Sequence, residues 1–223
     1  MRWALALLFL IAAGSSWAMQ IDADPRTIIS SMDKALLPEL DILRVTTAIS
    51  GDDQVVFQVK TRGERIDRDG GDYLLLQISG ERAHILLIPI NRSKGNGLIY
   101  EGLLQPEGQR LPQTFNKADE EGLHPGFSAK HILHGGEFSI PVEWMDFGSD
   151  FSFDAYTVKA DIRGDILIVG EIHDQARKGR EEKRISAIAL LNKLCAPGRA
   201  GRFPSAGAPY FGSFSLQQNP IAK

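Results

Sequence analysis

Apolar and polar residues alternate with a period of two along most of the chain from about residue 40 to residue 176, interrupted by Gly, Asp and Asn clusters. This pattern is typical of half-buried β-strands joined by turns. It predicts two hairpins, one formed by Asp41–Ser50 with Gln54–Thr61 and the other by Asp72–Ser79 with Arg82–Ile90. The second hairpin is apolar on both faces, which predicts a place in the middle of a layered structure.

The segment Gly135–Val158 predicts two further half-buried strands separated by a turn. In its first half the apolar face comprises Phe138, Ile140, Val142 and Trp144. In its second half Phe151, Phe153 and Ala155 alternate with Ser152, Asp154 and Tyr156, so that Tyr156 is expected on the solvent face. Pro141 cannot donate to a sheet ladder, which favours an edge position or a bulge for the first strand. A last strand is predicted over Asp165–His173.

Outside this region the pattern changes. Leu103–Gly126 is polar and rich in Pro and Gly, which predicts a long surface loop. Arg180–Leu194 places Ile185, Ile188, Ala189 and Leu191 on one stripe and predicts an amphipathic helix. The sequence after Pro197 combines Gly, Pro and Ser with several aromatic residues, and we expect an irregular tail.

The N-terminus has the form of a secretory signal peptide. Arg2 precedes the apolar stretch Trp3–Ala13, and Ser16 to Ala18 form a small-x-small cleavage site. The apolar stretch is shorter than the roughly 20 residues that span a bilayer. We therefore expect a signal peptide at 1–18, a β-sandwich domain at 19–178 and a C-terminal helix with tail at 179–223. The mature protein is expected to be periplasmic or secreted, without a transmembrane segment.

Composition restricts the partners and the chemistry. The formal net charge is -3 and the charges are mixed in sign along the chain, which argues against a nucleic-acid partner. Cys195 is the single cysteine, so it cannot form an intrachain disulfide. Both a buried thiol and an intermolecular disulfide stay open for Cys195.

The order of the strands resembles a known superfamily. "DILRVTTAISGDDQVVFQVKT", "DYLLLQISGERAHILLIPINRSKGNG" and "GGEFSIPVEWMDFGSDFSFDAYTV" are similar to successive strands of the DOMON-like proteins, which include carbohydrate-binding modules of family 9. The similarity covers roughly residues 40 to 176 and includes an "IP" strand followed by an "FSFDA" strand. It implies a mainly β fold, a two-layer antiparallel sandwich, which binds sugars or haem and does not itself catalyse a reaction.

Carbohydrate binding is the leading expectation from this resemblance, with no cofactor required. The sugar-binding members clamp a sugar between aromatic side chains, commonly two tryptophans, whereas signal cleavage would leave only Trp144 here. Trp144 is a candidate for stacking on a sugar, although its alternation places it in the core. Tyr73, Tyr100 and Tyr156 are the candidates for an exposed platform.

Two alternatives remain. The first is a haem b electron-transfer subunit, whose candidate axial ligands are Met145, Met32, His131, His134 and Lys159. Covalent attachment is excluded because no Cys-x-x-Cys-His occurs. The second is a structural or assembly subunit that binds a protein partner through its C-terminal helix and tail. The pair His131 and His134 has no third ligand nearby in sequence, and we predict neither a metal site nor a catalytic centre.

Overall fold

The computed structural model describes residues 24, 26–64, 70–91, 97–106, 111–118, 126–144, 150–180, 183–186, 188 and 190. The predicted signal peptide, Met145, Cys195 and the predicted tail lie outside these residues. In the part of the chain that is described, no helix is both long and apolar enough to cross a membrane.

The described chain is mainly β, as predicted, with strands that pair antiparallel in two sheets. A single turn of 3-10 helix, Val142–Trp144, follows the ninth strand. In chain order the strands are β1 (Thr27–Ile29), β2 (Ile42–Ile49), β3 (Gln54–Thr61), β4 (Asp72–Ser79), β5 (Ala83–Pro89), β6 (Leu98–Glu101), β7 (Gln113–Lys117), β8 (Ser128–Ile132), β9 (Gly135–Pro141), β10 (Asp150–Arg163), β11 (Ile166–Gln175) and β12 (Ile185–Ser186).

The first sheet has five strands in the order β1-β2-β3-β9-β8. Strand β9 therefore has a neighbour on each side, and the predicted edge position for it is wrong. The pairing of β8 ends opposite Ser139, so Pro141 faces a partner, Gln54, on one side only. A proline is tolerated there because the missing N–H is not required by a second strand.

The second sheet has seven strands in the order β11-β7-β6-β5-β4-β10-β12, and β11 also pairs with β10. Six strands, β4, β5, β6, β7, β11 and β10, therefore form a closed circuit of pairings, which we call the ring. Strand β10 makes closure possible because it is 14 residues long. Its middle pairs with β4 over Ser152 to Lys159, while its second half pairs with β11 from Tyr156 to Arg163. Two register shifts near Val158 bend it between these partners.

The described residues form two apolar cores, one on each side of the ring wall. The first lies between the five-stranded sheet and the outer face of the ring, and includes Phe57, Phe138 and Phe153. The second lies inside the ring, and its members are Leu75, Ile85, Leu87, Tyr100, Leu104, Phe115, Tyr156, Val158, Leu167 and Val169. Strands β4 and β5 separate the two cores, which confirms the central position predicted for them. Each of their faces is apolar because each face packs into one of the cores.

The same arrangement corrects the prediction for β10. Every residue from Phe151 to Val158 is buried, so this strand has no solvent face there. Ser152, Asp154 and Tyr156 do face away from Phe153, as their alternation requires, but they face the interior of the ring. The two predicted hairpins are confirmed by the pairings of β2 with β3 and of β4 with β5.

Two other predictions need correction. The expected loop Leu103–Gly126 contains β7, which pairs with both β6 and β11. At the C-terminal end, Ile185 belongs not to a helix but to β12, where it lies opposite Phe151. Its apolar side chain is buried in the first core, and the strand pairing supplies its backbone partners. Most of the remaining predicted helix lies outside the described residues.

Buried polar contacts connect the ring to the five-stranded sheet. The Thr157 hydroxyl donates to the main-chain oxygen of Leu40 at 2.6 Å, and Asp174 Oδ2 accepts from the main-chain nitrogen of Ile42 at 2.8 Å. Asp41 is fully buried and forms ion pairs with Arg62 after β3, at 2.8 Å, and with Lys178 after β11, at 3.9 Å. These contacts fix the start of β2 against β10 and β11 and so set how the two layers meet.

Candidate binding cleft

One end of the ring opens into a cleft of about 350 Å³, which we call the mouth cleft. Its walls come from β4, β10, β11 and the segments that follow β6 and β11. The lining residues are Gln77, Leu103, Leu104, Gln105, Pro106, Asp154, Tyr156, Gln175, Arg177, Gly179 and Arg180. Clefts of this size, with an apolar floor and a few convergent polar groups, are typical of small-molecule sites, and barrel mouths are one of their common locations.

Asp154 is the buried acid of the mouth cleft. Its Oδ1 accepts from the main-chain nitrogens of Ala155 at 2.8 Å and Arg177 at 3.3 Å, and its Oδ2 accepts from Gln175 Nε2 at 2.8 Å. Burial raises the pKa of this carboxyl above its ordinary value, while the hydrogen bond from Gln175 and the charge of Arg177 act in the opposite direction. The carboxyl group is therefore held in one orientation by protein donors.

Two amide side chains at the cleft have polar atoms that are not used within the described residues. Gln77 Oε1 accepts from the main-chain nitrogen of Leu104 at 2.7 Å, and its Nε2 has no acceptor there. Gln175 Nε2 donates to Asp154 and, at 3.4 Å, to the Tyr156 hydroxyl, while its Oε1 has no donor there. The cleft thus offers one fixed amide donor and one fixed amide acceptor.

Two arginines lie at the same end of the ring. The Arg177 side chain is buried, donates through Nε and Nη2 to the main-chain oxygen of Phe153, and lies 5.9 Å from the centre of the Phe153 ring. Arg180 is exposed at the rim and donates to the main-chain oxygens of Arg177, Ile29 and Ala176. Both guanidinium groups are therefore held in place by the backbone.

The segment Leu103–Pro106 covers one side of the cleft. Its position is fixed by the contact of Leu104 with Gln77 and by a reciprocal pair of hydrogen bonds in which Gln105 N donates to Gln113 Oε1 and Gln113 Nε2 donates to Gln105 O. Leu104 is buried in the second core, whereas Leu103 is exposed. This anchoring gives the cleft a preformed wall.

The three tyrosines predicted to form an exposed platform all lie in or against the second core. Tyr100 and Tyr156 are only 1% and 3% exposed, and both pack inside the ring, so the prediction that they are exposed is wrong. Tyr73 is half-buried against the same core. Of the three, Tyr156 alone reaches the mouth cleft, where its hydroxyl lies beside Gln175.

Trp144 does not continue the alternation of β9. The strand ends at Pro141, and Trp144 is the last residue of the 3-10 turn that follows. Its ring is half-buried against the first core and lies 5.4 Å from the His84 ring. Trp144 therefore packs against the core, as its alternation predicts, and does not form an exposed stacking platform. A turn and not a strand brings it to this position.

The haem candidates that are described lie on several different elements. Met32 is 54% exposed in the connection between β1 and β2, Lys159 is exposed on β10, and His134 occupies the turn between β8 and β9. His131 lines a narrow cleft between the two sheets, and its Nε2 is 2.6 Å from the main-chain oxygen of Pro89. None of the other three described candidates, Met32, His134 and Lys159, lines that cleft. The described residues therefore do not form an axial ligand pair around one cavity.

The residues that define the mouth cleft were largely missed by sequence reasoning. Asp154 was assigned to a solvent-exposed strand face, and Gln77 was treated as part of an apolar strand. A signal existed in "DYLLLQIS", where a single amide interrupts an apolar run, because a buried amide must have hydrogen-bond partners. Arg177 and Arg180 follow β11, and the β10–β11 hairpin with its two register shifts brings Arg177 beside Asp154.

Comparison of this chain with models of protein families, with curated proteins and with solved structures finds no match. The geometry of the cleft is therefore the basis of the functional proposal.

Proposed function

We propose that this chain is an exported, non-catalytic carbohydrate-binding protein and that the sugar binds in the mouth cleft. The proposal requires neither a cofactor nor a second protein. It assigns hydrogen bonding to Gln77 and Gln175, a positioning role to Asp154, and an apolar contact to the edge of Tyr156.

One observation carries the proposal: an amide donor and an amide acceptor without partners among the described residues line the same cleft. Gln77 Nε2 offers hydrogens, and Gln175 Oε1 offers lone pairs. A sugar hydroxyl both donates and accepts, so adjacent hydroxyls on one ring can satisfy both amides. A purely apolar ligand would leave both amide groups desolvated and unpaired, at a cost of about 1–3 kcal/mol each.

The rigidity of the surroundings supports the same proposal. Gln175 is held by Asp154 and Gln77 by the Leu104 main chain, so little side-chain freedom remains to be lost when a ligand binds. Prior ordering of binding groups increases affinity because immobilising a free side chain costs about 0.5–1.5 kcal/mol. The resemblance to DOMON-like proteins points to the same ligand class, as an analogy of fold.

The test is a glycan array combined with pull-down on insoluble polysaccharides, using the chain expressed with its own N-terminal segment. Gln77→Leu and Gln175→Leu each remove one polar partner of the ligand. We expect each to weaken binding by about fivefold or more, which corresponds to the loss of one hydrogen bond. The matched control is Gln58→Leu, because Gln58 lies on the outer face of the five-stranded sheet and donates to Glu137 there.

Thermal unfolding of all three variants shows whether a loss of binding reflects a loss of folding. If Gln58→Leu abolishes binding while the two cleft variants bind normally, the sugar site is on the five-stranded sheet and the mouth cleft assignment is wrong. If the folded wild-type chain binds no glycan in either assay, the carbohydrate proposal itself is wrong.

A further inference from the structure

Beyond the ligand class, the rim of the mouth cleft contains a cation whose geometry is fixed. Arg180 donates through Nε to the Arg177 main-chain oxygen at 2.8 Å, and through Nη2 to the main-chain oxygens of Ile29 at 2.6 Å and Ala176 at 3.0 Å. Three carbonyl contacts therefore orient the guanidinium plane. Its Nη1 has no acceptor among the described residues.

A guanidinium held in this way is suited to a carboxylate. Its Nε and Nη2 hydrogens are already used, so a carboxylate would accept from Nη1, and a hydrogen bond between charged partners is shorter and stronger than one between neutral partners. Arg180 is exposed, so a bound carboxylate would keep part of its hydration and the ion pair would avoid the full cost of burial. A neutral sugar leaves this preorganised cation without a charged partner.

The charges that line the cleft also favour an anionic ligand. Among the described residues they are two guanidinium groups, Arg177 and Arg180, and one carboxyl group, Asp154. Asp154 already accepts hydrogen bonds from two main-chain nitrogens and from Gln175, and the nearby positive charge of Arg177 stabilises its carboxylate form. The ligand is therefore not needed to neutralise Asp154, whereas Arg180 is available to an anion at the rim.

We infer that the mouth cleft binds an acidic sugar, with the ring hydroxyls between Gln77 and Gln175 and the carboxylate of a uronic acid residue against Arg180. This inference rests on the proposed carbohydrate function and specifies its substrate class. Glu181 and Glu182 follow Arg180 in the chain and lie outside the described residues, so their charges are varied separately in the test.

The experiment measures calorimetric binding of oligogalacturonate, oligomannuronate and oligoglucuronate, each beside its carboxyl-reduced, neutral counterpart. We expect at least one uronate oligomer to bind about fivefold or more tightly than its reduced form, within the range of a partly exposed ion pair. The preference should fall with added salt, because screening weakens an exposed charge pair and leaves neutral hydrogen bonds almost unchanged.

The variants locate the effect. Arg180→Gln should bring the ratio of the affinities for the uronate and reduced forms to about one, and Arg180→Lys should retain part of the preference. Glu181→Gln with Glu182→Gln should bind the uronate at least as tightly as the wild type does.

The outcomes separate the two proposals. Binding of the reduced oligomers, or of other neutral glycans, with equal or greater affinity and with dependence on Gln77 and Gln175 would overturn the acidic-sugar inference and leave carbohydrate binding intact. A uronate preference that survives Arg180→Gln would also overturn it. Absence of binding to every acidic and neutral glycan would overturn the carbohydrate proposal, and the inference with it.

Discussion

The hydroxyl of Thr157 donates to the main-chain oxygen of Leu40 over 2.6 Å, and both residues are buried where the ring meets the five-stranded sheet. Thr157 lies in the middle of β10, and Leu40 comes just before β2, so the contact joins segments 117 residues apart in the chain. This buried contact helps to fix the position of the ring relative to the five-stranded sheet.

Replacing this hydroxyl by a methyl group should destabilise the chain. Thr157→Val keeps the shape and leaves the Leu40 oxygen without its donor in a buried position, at an expected cost of about 1–3 kcal/mol in the free energy of unfolding. Urea denaturation measures the cost. Thr157→Ser retains the hydroxyl and should recover most of the loss; a valine variant as stable as the wild type would show that the contact does not contribute.

Asp154 should make stability depend on pH in a defined direction. Because burial raises its pKa in the folded chain, the folded state binds its proton more tightly than the unfolded state does. The stability contributed by the protonated group is fully present below the unfolded pKa of about 3.9 and is lost as the pH rises through the raised folded pKa.

The difference in unfolding free energy between the wild type and Asp154→Asn isolates this effect, because the asparagine does not titrate. We expect the wild type to lose stability relative to the variant as the pH increases across that window. A difference that stays constant with pH, or one that changes in favour of the wild type, would contradict the raised pKa.

Gly135 should tolerate no side chain. Its φ of 139° lies in the region that favours glycine, and a Cβ would lie 1.9 Å from the main-chain oxygen of Val59 on the neighbouring strand. We expect Gly135→Ala to reduce the free energy of unfolding by about 3 kcal/mol or more. Gly51→Ala is the control, since its Cβ would meet nothing within 4 Å and the change should be within about 0.5 kcal/mol.

Tyr100 should behave as a core residue and not as part of a sugar platform. It is 1% exposed inside the ring, so Tyr100→Ala should cost about 3–5 kcal/mol through the cavity that it leaves. Tyr100→Phe retains the aromatic ring and should bind any glycan ligand with wild-type affinity. If the phenylalanine variant folds normally and does not bind the ligand, the Tyr100 hydroxyl takes part in binding and this prediction is wrong.

The strand pattern was predictable because it depends on local alternation. Both hairpins follow from the period of two and from their turns, and the apolar character of β4 on both faces indicated a central position. The sequence also established correctly that Tyr156 faces opposite to Phe153. The period of two shows which residues share a face of a strand, but it does not show what that face contacts. The polar neighbours of Tyr156 therefore suggested a solvent-exposed face, whereas that face lines the interior of the ring.

Closure of the ring depends on interactions that no local pattern encodes. Closure rests on the pairing of β10 with β4, through contacts such as Ser152 with Ser79, and on the pairing of β11 with β7, through contacts such as Leu167 with Phe115. Both pairings join segments that are far apart in the chain, so the choice between an open and a closed sheet is made by packing. The mouth cleft exists only because of that choice, which places Gln77 of β4 opposite Asp154. Asp154 and Arg177 are neighbours through the β10–β11 hairpin, whose two register shifts the alternation does not reveal.

The closed ring also dictates an order of events during biosynthesis. Strands β4, β5, β6 and β7 precede β10 and β11 in the chain, yet β4 acquires its second neighbour, and β7 its partner β11, only when those last strands are made. Until then the edges of β4 and β7 and the apolar residues of both cores remain available to other chains. A partly synthesised chain is therefore prone to aggregate until it is nearly complete, and we expect its early strands to require the protection of a holding chaperone.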